Sequence, residues 1–175
     1  MSGRGLTLSA LLDYDLVTFT RAVGVLRRRN FPIKSIAVGP SASPGLARLT
    51  IMMETDQATA DRAARQLEKI VGVREATAFP AGEGVARELA LVKVRTSHAR
   101  YAELLDIALL YKAAILDESA DGAILEVSGS EAFVLSFLRA LQGFELVDVA
   151  RSGVVVIERA PGSSIPLTHT SEAVR

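Results

Sequence analysis

Three sets of residues in this sequence have types that could do chemistry. Serine stands beside glycine at Ser128-Gly129-Ser130 and at Arg151-Ser152-Gly153, where a hydroxyl becomes a nucleophile only if a base sits next to it. The two histidines, His98 and His169, offer neither serine an obvious partner: His98 stands at a helix start and His169 in a loose terminal stretch. Asp13, Asp15 and Glu54 could be imagined around a cation, but their spacing matches no calcium or magnesium loop. The pair Asp117-Glu118 precedes a turn and has no acidic partner at a readable distance. These carboxylates read as loop and strand-end residues. Arg27-Arg28-Arg29, with Arg21 upstream, is the sharpest basic run. It is either an anion patch or a set of cations offsetting the negative end of a helix dipole, and the absence of interleaved aromatics favours the dipole.

The patterns that assemble an active site in a chain of this size are missing. There is no GxSxG, Walker Gly-Lys-Ser/Thr, HExxH or GxGxxG. With no cysteine there is no thiolate, disulfide or cysteine metal site, and two histidines do not make a histidine cage. Twenty Lys+Arg balance twenty Asp+Glu, so no global field draws the chain to nucleic acid or an anionic bilayer. The start, MSGRG, leads into a short apolar run from Leu6 to Leu12, which fits neither a signal peptide nor a membrane span. A cytoplasmic binding protein is expected, with no catalytic residues, no metal and no cofactor of its own.

The elements that would position such residues follow from periodicity. A strand over 6–12 precedes a helix over 18–29, where Phe19, Ala22, Val23 and Leu26 form one stripe. Ile33–Val38 reads as a strand, GPSASPG (39–45) as a loop, and Leu46–Met53 as an alternating strand. A helix over 57–71, with Val71 closing its apolar stripe, leads to a strand at Val73–Phe79. After PAGEG (80–84), of linker type, the order repeats. A strand at Leu89–Arg95 and a helix over 99–110 come first, the helix turning Tyr101, Leu104, Leu105, Ala108 and Leu109 inward. Ala113–Leu116, a turn at Asp121-Gly122 and Ala123–Ser128 follow. A helix capped by Ser130 and a last strand, Leu146–Ile157, complete the set. The fold class is α+β, two tandem ferredoxin-like βαββαβ units over 1–79 and 85–158, joined by linker 80–84 and followed by a flexible tail, 159–175. A four-stranded sheet with helices on one face leaves edges to be covered, so a homodimer is expected, with Phe19, Val23 and Ile36 as candidate contacts.

Several segments together resemble the small, regulatory subunit of acetolactate synthase (acetohydroxyacid synthase): RAVGVLRRRNFPIKSIAVGP (21–40), LARLTIMM (46–53), RQLEKIVGVREA (65–76), RELALVKV (87–94) and VDVARSGVVVIER (147–159). The last two are the most specific. The resemblance implies an N-terminal ACT domain, a C-terminal ferredoxin-like domain, and a dimer that activates a catalytic subunit in branched-chain amino-acid synthesis. That partner would carry thiamine diphosphate, a divalent metal and FAD. A branched-chain amino acid, usually valine, would bind at the ACT dimer interface as feedback inhibitor.

By that resemblance the effector would meet Tyr14, Val17, Thr18, Phe31, Pro32 and Ile33, and here the sequence departs from the family. Where the pattern is E-N-x-P/S-G-x-L-x-R, this chain has DYDLVTFTR (13–21), so Tyr14 replaces asparagine and Val17 replaces glycine. Where the family has G-Y-N-I, this chain has Asn30-Phe31-Pro32-Ile33. Two amides that could pair with ligand charges are gone, at about 1–3 kcal/mol for each unmet group. Val17 also adds a β-branched side chain where glycine lets the backbone come close. The expectation is weakened valine feedback, with the pocket filled by the protein's own side chains, open to another effector, or empty. Alternative readings are a stand-alone ACT-type amino-acid sensor and a dimeric structural adaptor.

Overall fold

The computed structural model describes residues 5–159. They form two units, 5–85 with 154–159 and 86–153. In the first, β1 (Leu6–Asp13), α1 (Leu16–Arg28), β2 (Ile33–Pro40), β3 (Leu46–Met53), α2 (Gln57–Leu67) and β4 (Val73–Pro80) build an antiparallel sheet of order β2-β3-β1-β4. In the second, β5 (Gly84–Arg95), α3 (Tyr101–Leu110), β6 (Ala114–Ser119), β7 (Gly122–Gly129), α4 (Glu131–Ala140) and β8 (Glu145–Arg151) repeat that order as β6-β7-β5-β8. Both are βαββαβ units, as the alternation of periods required.

Each unit has its own core. Period-two alternation puts Leu6, Leu8, Ala10 and Leu12 of β1 beside Ala47, Leu49, Ile51 and Met53 of β3. The helices cover them with Ala22 and Leu26 of α1 and Ala60, Ala63, Ala64 and Leu67 of α2. In the second unit Ala90, Val92 and Val94 meet Leu104, Ala108, Val134, Phe137 and Leu141. Tyr111 leans on Phe133 and Phe137, with ring centroids 5.4 and 5.3 Å apart.

Several boundaries differ from the sequence reading, each for a local reason. Helix α1 begins at Leu16 because Asp15 caps it, two residues before the expected start at Thr18. Helix α2 stops at Leu67, so Val71, expected to face inward, is 83% exposed. Leu109, also expected inward, is 80% exposed. Helix α3 is apolar on most of its circumference, and a stripe alone does not say which side is buried. The hairpin before β7 turns at Ala120-Asp121, with Ser119 opposite Gly122. The expected single strand 146–157 is broken at Ser152-Gly153, where Gly153 adopts a φ of +73°. Beyond the break, β9 (Val155–Glu158) groups with the first unit, as does Gly84 at the start of β5, where a side chain would collide with Val156. His169 and the expected tail from 160 on lie outside the described residues.

A candidate effector site at the start of the first helix

The β1–α1 corner is held by its own backbone and by Asp15. Asp13 N–H donates to Gly72 O at 2.7 Å, Tyr14 N–H to Gly45 O at 2.8 Å, and Asp15 N–H to Asp13 O at 2.8 Å. The Asp13 carboxylate receives Arg74 Nη2 at 2.6 Å and Nε at 3.1 Å, tying the end of β1 to β4. Asp15 then takes two hydrogen bonds from one residue: Thr18 N–H reaches Oδ1 and Thr18 Oγ1 reaches Oδ2, each at 2.8 Å. The Thr18 backbone bond, followed by the hydroxyl bond, holds the Asp15 carboxyl below its ordinary pKa, with Arg21 adding a smaller pull.

That geometry decides what the helix start can do. A helix N-terminus offers unpaired N–H groups to an anion, and an incoming amino-acid carboxylate would use them. Here a carboxylate of the protein already takes the Thr18 donor, so a ligand would have to compete with an intramolecular cap. Around it the surface is apolar: Tyr14 is 62% exposed, Leu16 74% and Val17 55%, while Thr18 is buried.

The six residues assigned to an effector do not gather in one chain. Phe31 and Ile33 are half-buried against the core and Pro32 is exposed, all at the far end of α1. Ile33 pairs with Met53, which pairs with Leu6, so β2 starts beside the first residue of β1. Tyr14 and Val17 follow the last one. The two half-sites therefore stand about 20 Å apart, the length of the 13-residue α1. Of the candidate dimer contacts, Phe19 and Ile36 also pack partly onto the core of their own unit.

The other sequence candidates disperse. His98 is exposed in a short 3₁₀ turn, and Glu54 lies 3.6 Å from Lys34 Nζ. Among the described residues no three His, Cys, Asp or Glu side chains gather as a metal site. Nor is any described helix long and apolar enough to cross a membrane.

Two features escaped the sequence reading. One is an ion pair: Glu88, its side chain 2% exposed, is gripped by Arg151, and Ser152 Oγ accepts the neighbouring Leu89 N–H at 3.0 Å. The signal was present, since Glu88 lies in RELALVKV and Arg151 in VARSG, but nothing in one sequence pairs residues 63 positions apart. The other is that the arginines ending α1 face a second basic row, Arg62 and Arg65 on α2 and Lys69 in the turn after it. Arg62 and Arg65 share one face of α2 at a spacing of three, and only the packing of the two helices sets them opposite the arginines of α1.

Comparison with known proteins agrees with this architecture. Residues 19–75 match the family model described as an AHAS small subunit-like ACT domain, and residues 87–160 match that of the small subunit of acetolactate synthase. The probable acetolactate synthase small subunit of Methanothermobacter thermautotrophicus is 31% identical over 153 residues, 87% of this chain and 91% of the relative. The acetolactate synthase small subunit of Mycobacterium leprae is 29% identical over 155 residues, 89% of this chain and 92% of the relative. The crystal structure of the acetolactate synthase small subunit from Thermotoga maritima superposes with a TM-score of 0.84 at 33% identity, covering 90% of this chain and 98% of that one. With both units matched in order and nearly full length on each side, the chain belongs to the acetolactate synthase small-subunit family.

Proposed function

We propose that this chain is the regulatory small subunit of an acetolactate synthase in branched-chain amino-acid biosynthesis. It performs no chemistry itself and raises the turnover of a catalytic subunit by binding its active conformation more tightly than its inactive one. Thiamine diphosphate, the divalent metal and FAD belong to that partner, and both act in the cytoplasm. The observation that carries the reading is the end-to-end match of both units to small subunits of that name.

The working form is a homodimer. The half-site at Tyr14 and Val17 and the half-site at Phe31–Ile33 lie at opposite ends of the unit, so a two-fold pairing of edges brings one half from each copy together. Strand β2 is an edge strand, and Tyr14, Leu16 and Val17 supply apolar surface to be covered. Valine feedback through that site is weakened, because Asp15 caps the helix start, Val17 crowds it and two amides are missing.

Reconstitution tests the reading. The purified chain should make no acetolactate from pyruvate, and added to its cognate catalytic subunit it should raise turnover severalfold, with little response to valine, leucine or isoleucine. Turnover by the chain alone, or no effect on the partner, would refute it.

A further inference from the structure

The groove between the antiparallel helices α1 and α2 carries five cations on its two walls. Arg28 and Arg29 come from the end of α1, and Arg62, Arg65 and Lys69 from α2 and the turn after it. Two adjoining recesses, of about 230 and 370 Å³, share Arg29 and Gln66 and so form one continuous trough. From Thr59 to Lys69 it runs about 15 Å at helical rise. Its floor is apolar, made by Val25, Phe31 and Ile70, all half-buried. Among the described residues none of the five cations has a carboxylate within salt-bridge distance. Of the acids on or beside α2, Asp61 accepts from Gln57 Nε2 at 2.8 Å, Asp56 caps the helix and feels a minor pull from Arg62, and Glu68 ion-pairs with none of the five. Arg62 also donates to Thr59 Oγ1 at 2.9 Å.

The helix dipole accounts for arginines in the last turn of α1, but not for Arg62 in the middle of α2, nor for two cationic rows set facing each other. Like charges across a groove repel, and an anionic occupant would relieve that repulsion. Guanidinium forks suit carboxylates, and an apolar floor suits a segment whose acidic residues alternate with apolar ones. Nucleic acid fits less well, since Phe31 is the only aromatic residue of the trough and successive bases would find no further ring to stack on.

The geometry points to this trough as the surface on which an acidic segment of the catalytic subunit docks, an inference that rests on the small-subunit reading above. The test is binding of the full-length chain to its cognate catalytic subunit at low and high salt. Wild type should bind, and more weakly as salt rises. Arg62→Glu/Arg65→Glu should weaken binding about tenfold or more, Arg62→Gln/Arg65→Gln should fall between, and Arg139→Glu on α4 should leave it unchanged. The glutamine pair keeps the test decisive if the reversed pair fails to fold by circular dichroism. Folded variants that bind like wild type would overturn the docking surface while leaving the small-subunit reading intact. A wild-type chain that binds at no salt concentration would remove that reading, and the docking surface with it. A short oligonucleotide or inorganic phosphate that binds wild type and not the variants, with unchanged affinity for the catalytic subunit, would assign the trough to that occupant and overturn the proposal.

Discussion

Arg151 closes on Glu88 with two hydrogen bonds, Nε to Oε1 at 2.9 Å and Nη2 to Oε2 at 2.7 Å, and joins the two most specific motifs of the sequence across the second sheet. Glu88 sits on the central strand β5 opposite Gly129 of β7, with Arg151 at the end of β8. A buried carboxylate is tolerated there because a planar guanidinium satisfies both its oxygens. Arg151→Met would leave the carboxylate buried and unpaired, at about 3 kcal/mol of stability, the lower end for a broken buried pair because Arg151 is partly exposed. The double variant Glu88→Gln/Arg151→Met should recover part of that loss. Urea unfolding measures both, and a single variant as stable as wild type would show that water substitutes for the arginine.

The corner at the helix start is equally intolerant. Gly72 has a φ of +97°, and a methyl group there would stand 2.6 Å from Thr18 Oγ1. Gly72→Ala therefore meets an unfavourable backbone region and a clash with the residue that completes the Asp15 cap. We expect a loss of about 2 kcal/mol or more. Removing the clashing side chain with Thr18→Ala should restore little, because the backbone cost remains and the hydroxyl bond to Asp15 is lost as well. Full recovery in the double variant would sink the backbone half of this account.

Acid sensitivity should follow the two aspartate caps. Asp15 is held below its ordinary value of 3.8 first by the Thr18 N–H, and Asp56 likewise by the Thr59 N–H at 2.7 Å. A carboxylate with a folded pKa below its unfolded one contributes fully above the unfolded value and loses that contribution as pH falls through the folded one. Tm should thus be insensitive to these two groups from pH 7 to about 5 and fall below about pH 4. Asparagine still caps a helix but does not titrate in this range, so Asp15→Asn/Asp56→Asn should flatten part of the acid limb. An identical acid limb in the double variant would assign it to other carboxylates.

Much of this was legible in the sequence. Alternation at Leu46–Met53 and the i, i+3, i+4, i+7 stripe of Phe19, Ala22, Val23 and Leu26 are direct images of a sheet face and a helix face, so the repeated βαββαβ order could be read from them. What escaped were features made by contacts between elements or by local caps. Leu16 and Val17 belong to α1 but face solvent, so no apolar period could include them, and Asp15 marks the start only through its bond to Thr18. Val71 matched the α2 stripe in a stretch where the chain had already left the helix to reach the left-handed Gly72. The six effector positions came from resemblance alone. The crossover through α1 puts the end of β1 and the start of β2 at opposite ends of one sheet, so those positions cannot form one site within a single unit.

That separation shapes the last prediction, on valine. The wild-type chain should bind valine poorly, because the helix-start donor is taken by Asp15, Val17 fills the approach, and Tyr14 and Pro32 stand where amides would pair with the ligand. Pro32 also lacks an N–H donor, so its replacement removes two polar groups at once. Restoring all three, as Tyr14→Asn, Val17→Gly and Pro32→Asn, should bring valine binding to a Kd of about 1 mM or tighter. Each single reversion should do little, since crowding or an unpaired charge would persist, and sites that share one ligand do not add independently. The halves come from opposite ends of the unit, so recovered binding should also require the dimer and disappear on dilution to monomer, which sedimentation can follow alongside calorimetry. Low-micromolar valine binding by the wild-type chain would show that the corner accommodates these side chains and that the Asp15 cap yields to the ligand.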